Sequence, residues 1–214
     1  MSEVQVATAA PEEKAAQDLE TQSLGMWIFL ASEVLFFGVL FTAYIVYRLN
    51  YPQAFAEASR HLNWVIGAAN TGILLTSSFF VALAVNAIQR DARRSMLLFL
   101  LIVLALGAAF LGLKFLEYSQ EFEQNLFPGG NFQFPGADAA NAKLFFSLYF
   151  TMTGIHAVHM LIAMAAVAGL VFLGWRNKFS SEHYVPVELV GLFWHFVDIV
   201  WIFIFPMLYL IDRT

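Results

Sequence analysis

Five long apolar stretches, set apart by short polar breaks, make up most of the chain: Leu24–Tyr47, Trp64–Ile88, Met96–Tyr118, Leu144–Leu173 and Val187–Ile211. A helix needs roughly 20 apolar residues to cross the hydrocarbon of a bilayer. Each stretch meets that length. The pattern therefore predicts an all-α, polytopic membrane protein built as a bundle of five transmembrane helices. Residues 1–23 read as a polar N-terminal tail and residues 24–214 as a single membrane domain. The fourth stretch exceeds what a bilayer requires and is expected to tilt or to project beyond it. Trp27, Tyr44, Tyr47, Trp64, Tyr118, Trp175 and Tyr209 fall near the stretch ends, as an interfacial aromatic belt would.

The breaks carry the orientation signal. With five spans, one side holds Lys14, Arg90, Arg93, Arg94, Arg176 and Lys178, and the other holds Arg48, Arg60, Lys143 and Arg213. The excess on the first side, concentrated in the Gln89–Ser95 break, predicts a cytoplasmic N terminus and a periplasmic C terminus. The longest break, Ser119–Lys143, then lies outside. Its Phe-Pro-Gly-Gly and Phe-Pro-Gly runs are turn chemistry, and it is expected to fold over the helix ends or against a neighbour.

Composition changes this picture little. The chain is 60% hydrophobic and 13% charged, where a soluble domain carries roughly a quarter charged residues. The net charge of −5 resides mostly in tails and breaks, and no basic patch suggests nucleic acid. With no cysteine there is no disulfide framework, thiolate metal site or thiol nucleophile. The N terminus lacks the basic-then-apolar order of a cleavable signal, so the first stretch is expected to be a permanent helix.

The polar residues inside the stretches are the candidates for chemistry. Glu33 stands alone between Glu20 and Arg48, and Asp198 alone between Glu188 and Asp212. At a rise of about 1.5 Å per residue both lie roughly 14–17 Å deep. A charge at that depth costs several kcal/mol unless it is paired, so each acid is expected to face protein. His156 and His159 are three residues apart, as are His195 and Asp198, which places each pair on adjoining parts of one helix face. Carboxylates and imidazoles in a membrane interior suit a proton relay, with Glu33 the stronger candidate for its apolar neighbours. The same groups serve equally as interhelical hydrogen-bonding glue. A third reading has His156 or His159 ligating a haem together with His195, although only Gly154 would make room for a porphyrin. No zinc motif is present.

Lys114 and Glu117 read as a helix-end pair, snorkelling and partly exposed, and His61 as a solvated loop residue. Asn70, Thr71, Thr76, Ser77 and Ser78 make the second stretch the most small-and-polar of the five. With Gly107 and Gly112 in the third, they suit close helix packing. Pro206 is the sole proline inside a stretch and a candidate kink. No internal repeat or pair of broken helices points to a transporter, the reading in which Glu33 and Asp198 would be coupling sites.

Four motifs, in order, resemble subunit III of the haem–copper oxidases. Leu24-Gly-Met-Trp27 with Ala31-Ser-Glu-Val-Leu-Phe-Phe37 is similar to that family's Gly-Met and Ser-Glu-Val-x-Phe-Phe helix. Leu116-Glu-Tyr118 resembles its Glu-Tyr at a helix end, and Thr153-Gly-Ile-His-Ala-Val-His159 its Thr-Gly-x-His-Gly-x-His. Trp194-His-Phe-Val-Asp-Ile-Val-Trp201 matches its Trp-His-Phe-Val-Asp-Val-Val-Trp almost letter for letter. The chain is short of the two extra N-terminal helices of the seven-helix members and resembles the five-helix bacterial form.

The resemblance implies a non-redox supporting subunit of a proton-pumping terminal oxidase in the inner membrane of a bacterium. Such a subunit packs on subunit I among other oxidase subunits, holds structural phospholipids and sustains proton uptake. It binds no cofactor itself, haem and copper being carried by partner subunits. Glu33 falls at the family's carbodiimide-reactive glutamate, and His156, His159, His195 and Asp198 at its polar interior positions. Ser32-Glu33 leans toward the cytochrome c type. A quinol oxidase subunit III and a nitric oxide reductase accessory protein are the alternatives, with an independent transporter behind them.

Overall fold

The computed structural model describes residues 2–136, 138–181 and 183–211, with side chains from residue 21 onward. The described residues form six helices and no strand: α1 (Ser2–Asn50), α2 (Pro52–His61), α3 (Trp64–Gln89), α4 (Arg93–Glu123), α5 (Ala139–Trp175) and α6 (Val185–Tyr209). Five are long and apolar enough to cross a membrane: the Thr21–Asn50 part of α1, and α3 to α6. The protein is thus a multi-pass membrane protein. The chain divides into two compact units, Met1–Gly38 and Val39–Thr214, and everything below except Trp27, Phe29, Ser32 and Glu33 concerns the second.

The helices run past the apolar stretches that announce them. α4 continues to Glu123 and α5 starts at Ala139, so the long break shrinks to residues 124–138. A helix closes its own backbone hydrogen bonds and does not need apolar side chains to continue into the interface. The break between the first two stretches holds a short helix that hydropathy misses. Pro52 suits its first turn, and Ala54, Phe55, Ala58 and Ser59 form its buried face. His61, expected in a loop, ends this helix and lies beside Phe134 with ring centroids 5.0 Å apart.

Starts and stops have local causes. Asn63 caps α3 by accepting from the Val65 and Ile66 amides at 3.1 and 3.4 Å, and Asp138 caps α5 through the Asn141 amide at 3.2 Å. Three helices stop at Asp91, Asn125 and Asn177, each at a φ near +57° (56, 56 and 58°). In each case the next residue's amide reaches five residues back: Ala92 to Ala87, Leu126 to Glu121 and Lys178 to Leu173. This is the Schellman arrangement, which needs a left-handed residue. Asn and Asp tolerate that conformation better than other non-glycine residues.

α3 packs between α4 and α6, α5 lies against α4, α6 and α2, and α2 also touches α6. Trp194, Trp201, Tyr149, Tyr209, Phe110, Phe145 and Phe146 fill the interior. Small residues let helices close up. A side chain at Gly67 would meet the Phe205 ring at 2.8 Å, and one at Gly107 would meet Trp194 at 3.0 Å and Met164 at 3.1 Å. Gly112, expected to share this role, has nothing within 4 Å, so it packs against no neighbour. α6 continues through Pro206. Its last-turn carbonyls, which have no partners within the helix, are capped from elsewhere: Tyr44 donates to Met207 and Ser59 to Leu208, the latter at 2.7 Å.

The 124–138 segment folds over the helix ends, as expected. Phe127 stacks on Phe122 at 4.7 Å and meets Phe150 at 5.2 Å, Phe132 and Phe134 face Phe146, and Lys143 donates to the Gly129 carbonyl at 3.1 Å. At the opposite end, Asp91 ties the two remaining turns together. Its carboxylate accepts from the Ser181 amide at 2.7 Å and from the Ser181 hydroxyl at 2.8 Å. These bonds stabilise the charged form and hold Asp91 below the ordinary aspartate value. The unfolded chain therefore binds this proton more readily than the folded one. The clasp is fully present above an unperturbed aspartate value of about 3.9 and is lost as pH falls below it through the lowered value. Hydrogen exchange at the Ser181 amide should stay slow at neutral pH and quicken, relative to other turn amides, under acid. Asp91→Asn should remove that pH dependence.

Candidate functional site

Two polar clusters run through the helix core, and they meet at Trp201. The first zips α3 to α6. Trp201 Nε1 donates to Thr71 Oγ1 at 3.1 Å, Trp194 Nε1 to Ser77 Oγ at 3.0 Å, and Ser78 Oγ lies 2.5 Å from His195 Nδ1. Residue numbers fall on α3 as they rise on α6, so the two helices are antiparallel. The spacing of Trp194, His195, Asp198 and Trp201 puts all four on the α6 face that meets α3. Asp198 is the member that pairs with nothing. It is 2% exposed, and neither carboxylate oxygen has a hydrogen-bond partner. The Ser78 hydroxyl lies beside Asp198 and is held on His195.

The second cluster joins α4, α5 and α6. Lys114 Nζ donates to Glu117 Oε2 at 2.8 Å, to Tyr149 at 2.9 Å and to Tyr209 at 2.6 Å, and Tyr209 donates to the same Glu117 oxygen at 2.9 Å. The ammonium also lies 4.5 Å from the Tyr149 ring centre, with Tyr118, Tyr209 and Trp201 at 5.2–5.4 Å. An aromatic cage of this kind attracts a desolvated cation through the ring quadrupoles. Thr153 spends its proton on the Tyr149 carbonyl at 2.7 Å, so Tyr118 is the donor in the 2.5 Å contact between their hydroxyls. Glu121, one turn beyond Glu117, is 5% exposed with both oxygens unpartnered.

The pair Lys114–Glu117 is therefore not the partly exposed, snorkelling pair that its helix-end position suggests. Lys114 and Glu117 are 3% and 2% exposed. The lysine turns inward because three tyrosine rings and a tryptophan give it partners that lipid lacks. Tyr44 and Tyr209, expected in the interfacial belt, are fully buried, and half-buried Tyr118 bonds inward to Thr153; Trp27, Tyr47, Trp64 and Trp175 remain exposed. Glu121 and Tyr149 carry no signal in the apolar pattern, whereas Thr71 and Ser78 fall among the small polar residues expected to pack α3 closely. Glu121 was legible by position instead, since 114, 117 and 121 follow helical spacing, but the break appeared to begin at Ser119.

The histidines separate. His156 is buried with both ring nitrogens unbonded, between Phe110 at 5.6 Å and Trp201 at 5.1 Å. Those two rings fill the space a porphyrin on His156 would need. His159 is half-buried on the Ile155 carbonyl at 2.9 Å, and His195 lies on the α3 side. No group of three or more His, Asp or Glu able to hold a metal occurs among the described residues. Glu33 sits half-buried on α1 within the first unit, one residue after Ser32, whose hydroxyl donates to Phe29 at 2.6 Å.

Comparison with known proteins accounts for this arrangement. The family model for cytochrome c oxidase subunit III matches residues 12–212. The chain belongs to the subunit III family. A cytochrome c oxidase subunit 3 of Thermostichus vulcanus is 30% identical, over 96% of this chain and 95% of that protein. A quinol oxidase subunit 3 of Bacillus subtilis is 28% identical over 94% and 92%. A heme-copper oxidase subunit I+III of Aeropyrum pernix is 30% identical over 87% of this chain and 22% of that longer protein. In this subunit III, both polar clusters lie within the matched region, and the Trp194–Trp201 motif supplies the α6 half of the α3–α6 zip.

Proposed function

We propose that this chain is the non-redox supporting subunit of a proton-pumping terminal oxidase, of the cytochrome c type, in the inner membrane of a bacterium. It packs on subunit I, holds phospholipids at its apolar surface and sustains proton uptake, while haem and copper reside in partner subunits. The family match across residues 12–212 carries this reading. The relative in which subunits I and III form one chain supports subunit I as the direct neighbour. The basic breaks favour a cytoplasmic N terminus and a periplasmic C terminus. The quinol oxidase alternative has its own relative at similar identity.

Within the subunit the interior polar residues divide by task. Trp194 and Trp201 donate to α3 hydroxyls and serve packing, while His195 pairs with Ser78. Asp198 and Glu33 are the proton-handling candidates, because each is the lone acid in the middle of its span. Purification of the tagged chain in mild detergent should bring down a haem-bearing partner, read by visible spectrum and mass spectrometry. A colourless chain that purifies alone, in a detergent shown to keep oxidase subunits together, would overturn the reading. Glu33→Ala in the complex should leave steady-state oxygen reduction largely intact. Complete loss of activity with the complex assembled would place Glu33 in the catalytic path instead.

A further inference from the structure

A groove of about 300 Å³ opens between α3 and α6, lined by Ala82, Val85, Asn86, Gln89, Glu188, Gly191, Leu192 and His195. Gln89 is the last residue of α3 and Glu188 the fourth of α6, so its mouth lies at the bundle end that carries Asp91 and Ser181. From Glu188 to His195 the groove rises about 10 Å along α6, and Asp198 lies about 4.5 Å further. Gln89, Glu188 and Asn86 line its outer part and His195 its inner end, with Ala82, Val85, Gly191 and Leu192 between. His195 is bonded to Ser78, and the Ser78 hydroxyl lies beside buried Asp198. Beyond Asp198, the indole of Trp201 and the side chain of Leu74 fill the core, and buried Trp194 packs alongside the climb.

We propose that this groove is a one-ended water-filled inlet through which Asp198 exchanges a proton with the aqueous phase at the Asp91–Ser181 end of the bundle. The inference rests on Asp198 being a proton-handling residue. A proton arriving through groove water is taken up at His195, passes by way of the Ser78 hydroxyl and forms an O–H bond on an Asp198 oxygen. It leaves by the same route, so nothing else is consumed. A volume of this size holds several waters, and both Asp198 oxygens are free to accept. Dense aromatic packing past Asp198 makes the site a store at the end of an inlet rather than a path across the membrane.

Few other groups bear on this carboxyl. α3 contributes no charged residue or histidine along its length. α6 adds Glu188 and His195. α5 offers His156, behind Trp201, and His159, with Lys143 at its far end, and α4 brings Lys114, with Glu117 and Glu121, to the far side of Trp201. α2 brings Glu57, Arg60 and His61, but joins α6 at Leu208, about three turns away.

The test is infrared difference spectroscopy on the intact oxidase complex, following the protonated-carboxyl stretch assigned to Asp198 by its disappearance in Asp198→Asn. In the native complex this band should titrate with pH and shift promptly on transfer to D₂O. Ala82→Phe fills the groove from its exposed wall, and Asn86→Leu removes a polar step. Either should slow the D₂O shift at least tenfold without changing the band's final amplitude. Two variants guard against one that fails to assemble. A band that titrates but exchanges at the native rate in both variants overturns the inlet while leaving Asp198 a proton site. Absence of any Asp198 band that responds to pH or D₂O overturns the proton reading beneath it.

Discussion

Lys114→Met should destabilise the helix core by about 3–5 kcal/mol, the usual cost of removing one partner from a buried ion pair. Glu117 is 2% exposed and would keep a single donor, Tyr209, while Tyr149 would lose its bond to the ammonium. Glu121, already without a partner, would lose the nearest positive charge. Replacing both members changes the outcome. In Lys114→Met with Glu117→Met no unpaired charge is left behind, and buried pairs exchanged for apolar residues of similar volume are often neutral or stabilising. The double variant should recover most of the loss. Thermal unfolding of the four members of this cycle in one detergent measures the coupling directly. If the single and double variants are equally unstable, the lysine is acting through its packed methylenes and not its charge.

Trp201→Ala should cost a similar amount, about 3–5 kcal/mol, because it empties the point where both clusters meet. The indole touches Phe110 at 4.9 Å and His156 at 5.1 Å, lies 5.4 Å from the Lys114 ammonium, and donates to Thr71 at 3.1 Å. Trp201→Phe keeps most of the volume but drops the hydrogen bond, and should cost only about 1–2 kcal/mol. The alanine variant should also couple to Lys114→Met. Two residues in contact rarely add, whereas Trp194→Ala, a cluster away from the lysine, should combine with Lys114→Met nearly additively. Unfolding midpoints of the paired variants distinguish the two cases.

Several parts of this molecule were written into the hydropathy. The number of spans, the all-helical class and the folding-over of the 124–138 segment follow from apolar run lengths and turn residues. Hydrocarbon leaves a lone segment only one way to satisfy its backbone. The α6 face of the first cluster was legible too, since Trp194, His195, Asp198 and Trp201 recur at helical spacing. The family resemblance was legible from that motif together with three others in order, and the match over residues 12–212 bears it out. α2 was not legible, because ten residues with only a few apolar members carry no hydropathy signal; its helix is held by what Phe55 and Ser59 touch on α5 and α6.

Sequence by itself determined which stretches are long and apolar enough to cross a membrane, and that Glu33, Asp198 and three histidines lie inside them. Only the tertiary structure decided which of them have partners. Lys114 and Glu117 read as a surface pair, because a helix end is normally wet. They are interior, because Tyr149, Tyr209 and Trp201 arrive from two other helices to enclose them. His156 and Asp198 read as candidates for mutual pairing, yet the first faces aromatic rings and the second faces a hydroxyl already held by His195. The physical reason is that periodicity fixes the direction of a side chain on its own helix, while its partner is set by the rotation and depth of the neighbouring helices. Those in turn depend on close contacts such as Gly107 against Trp194, which no single stretch encodes.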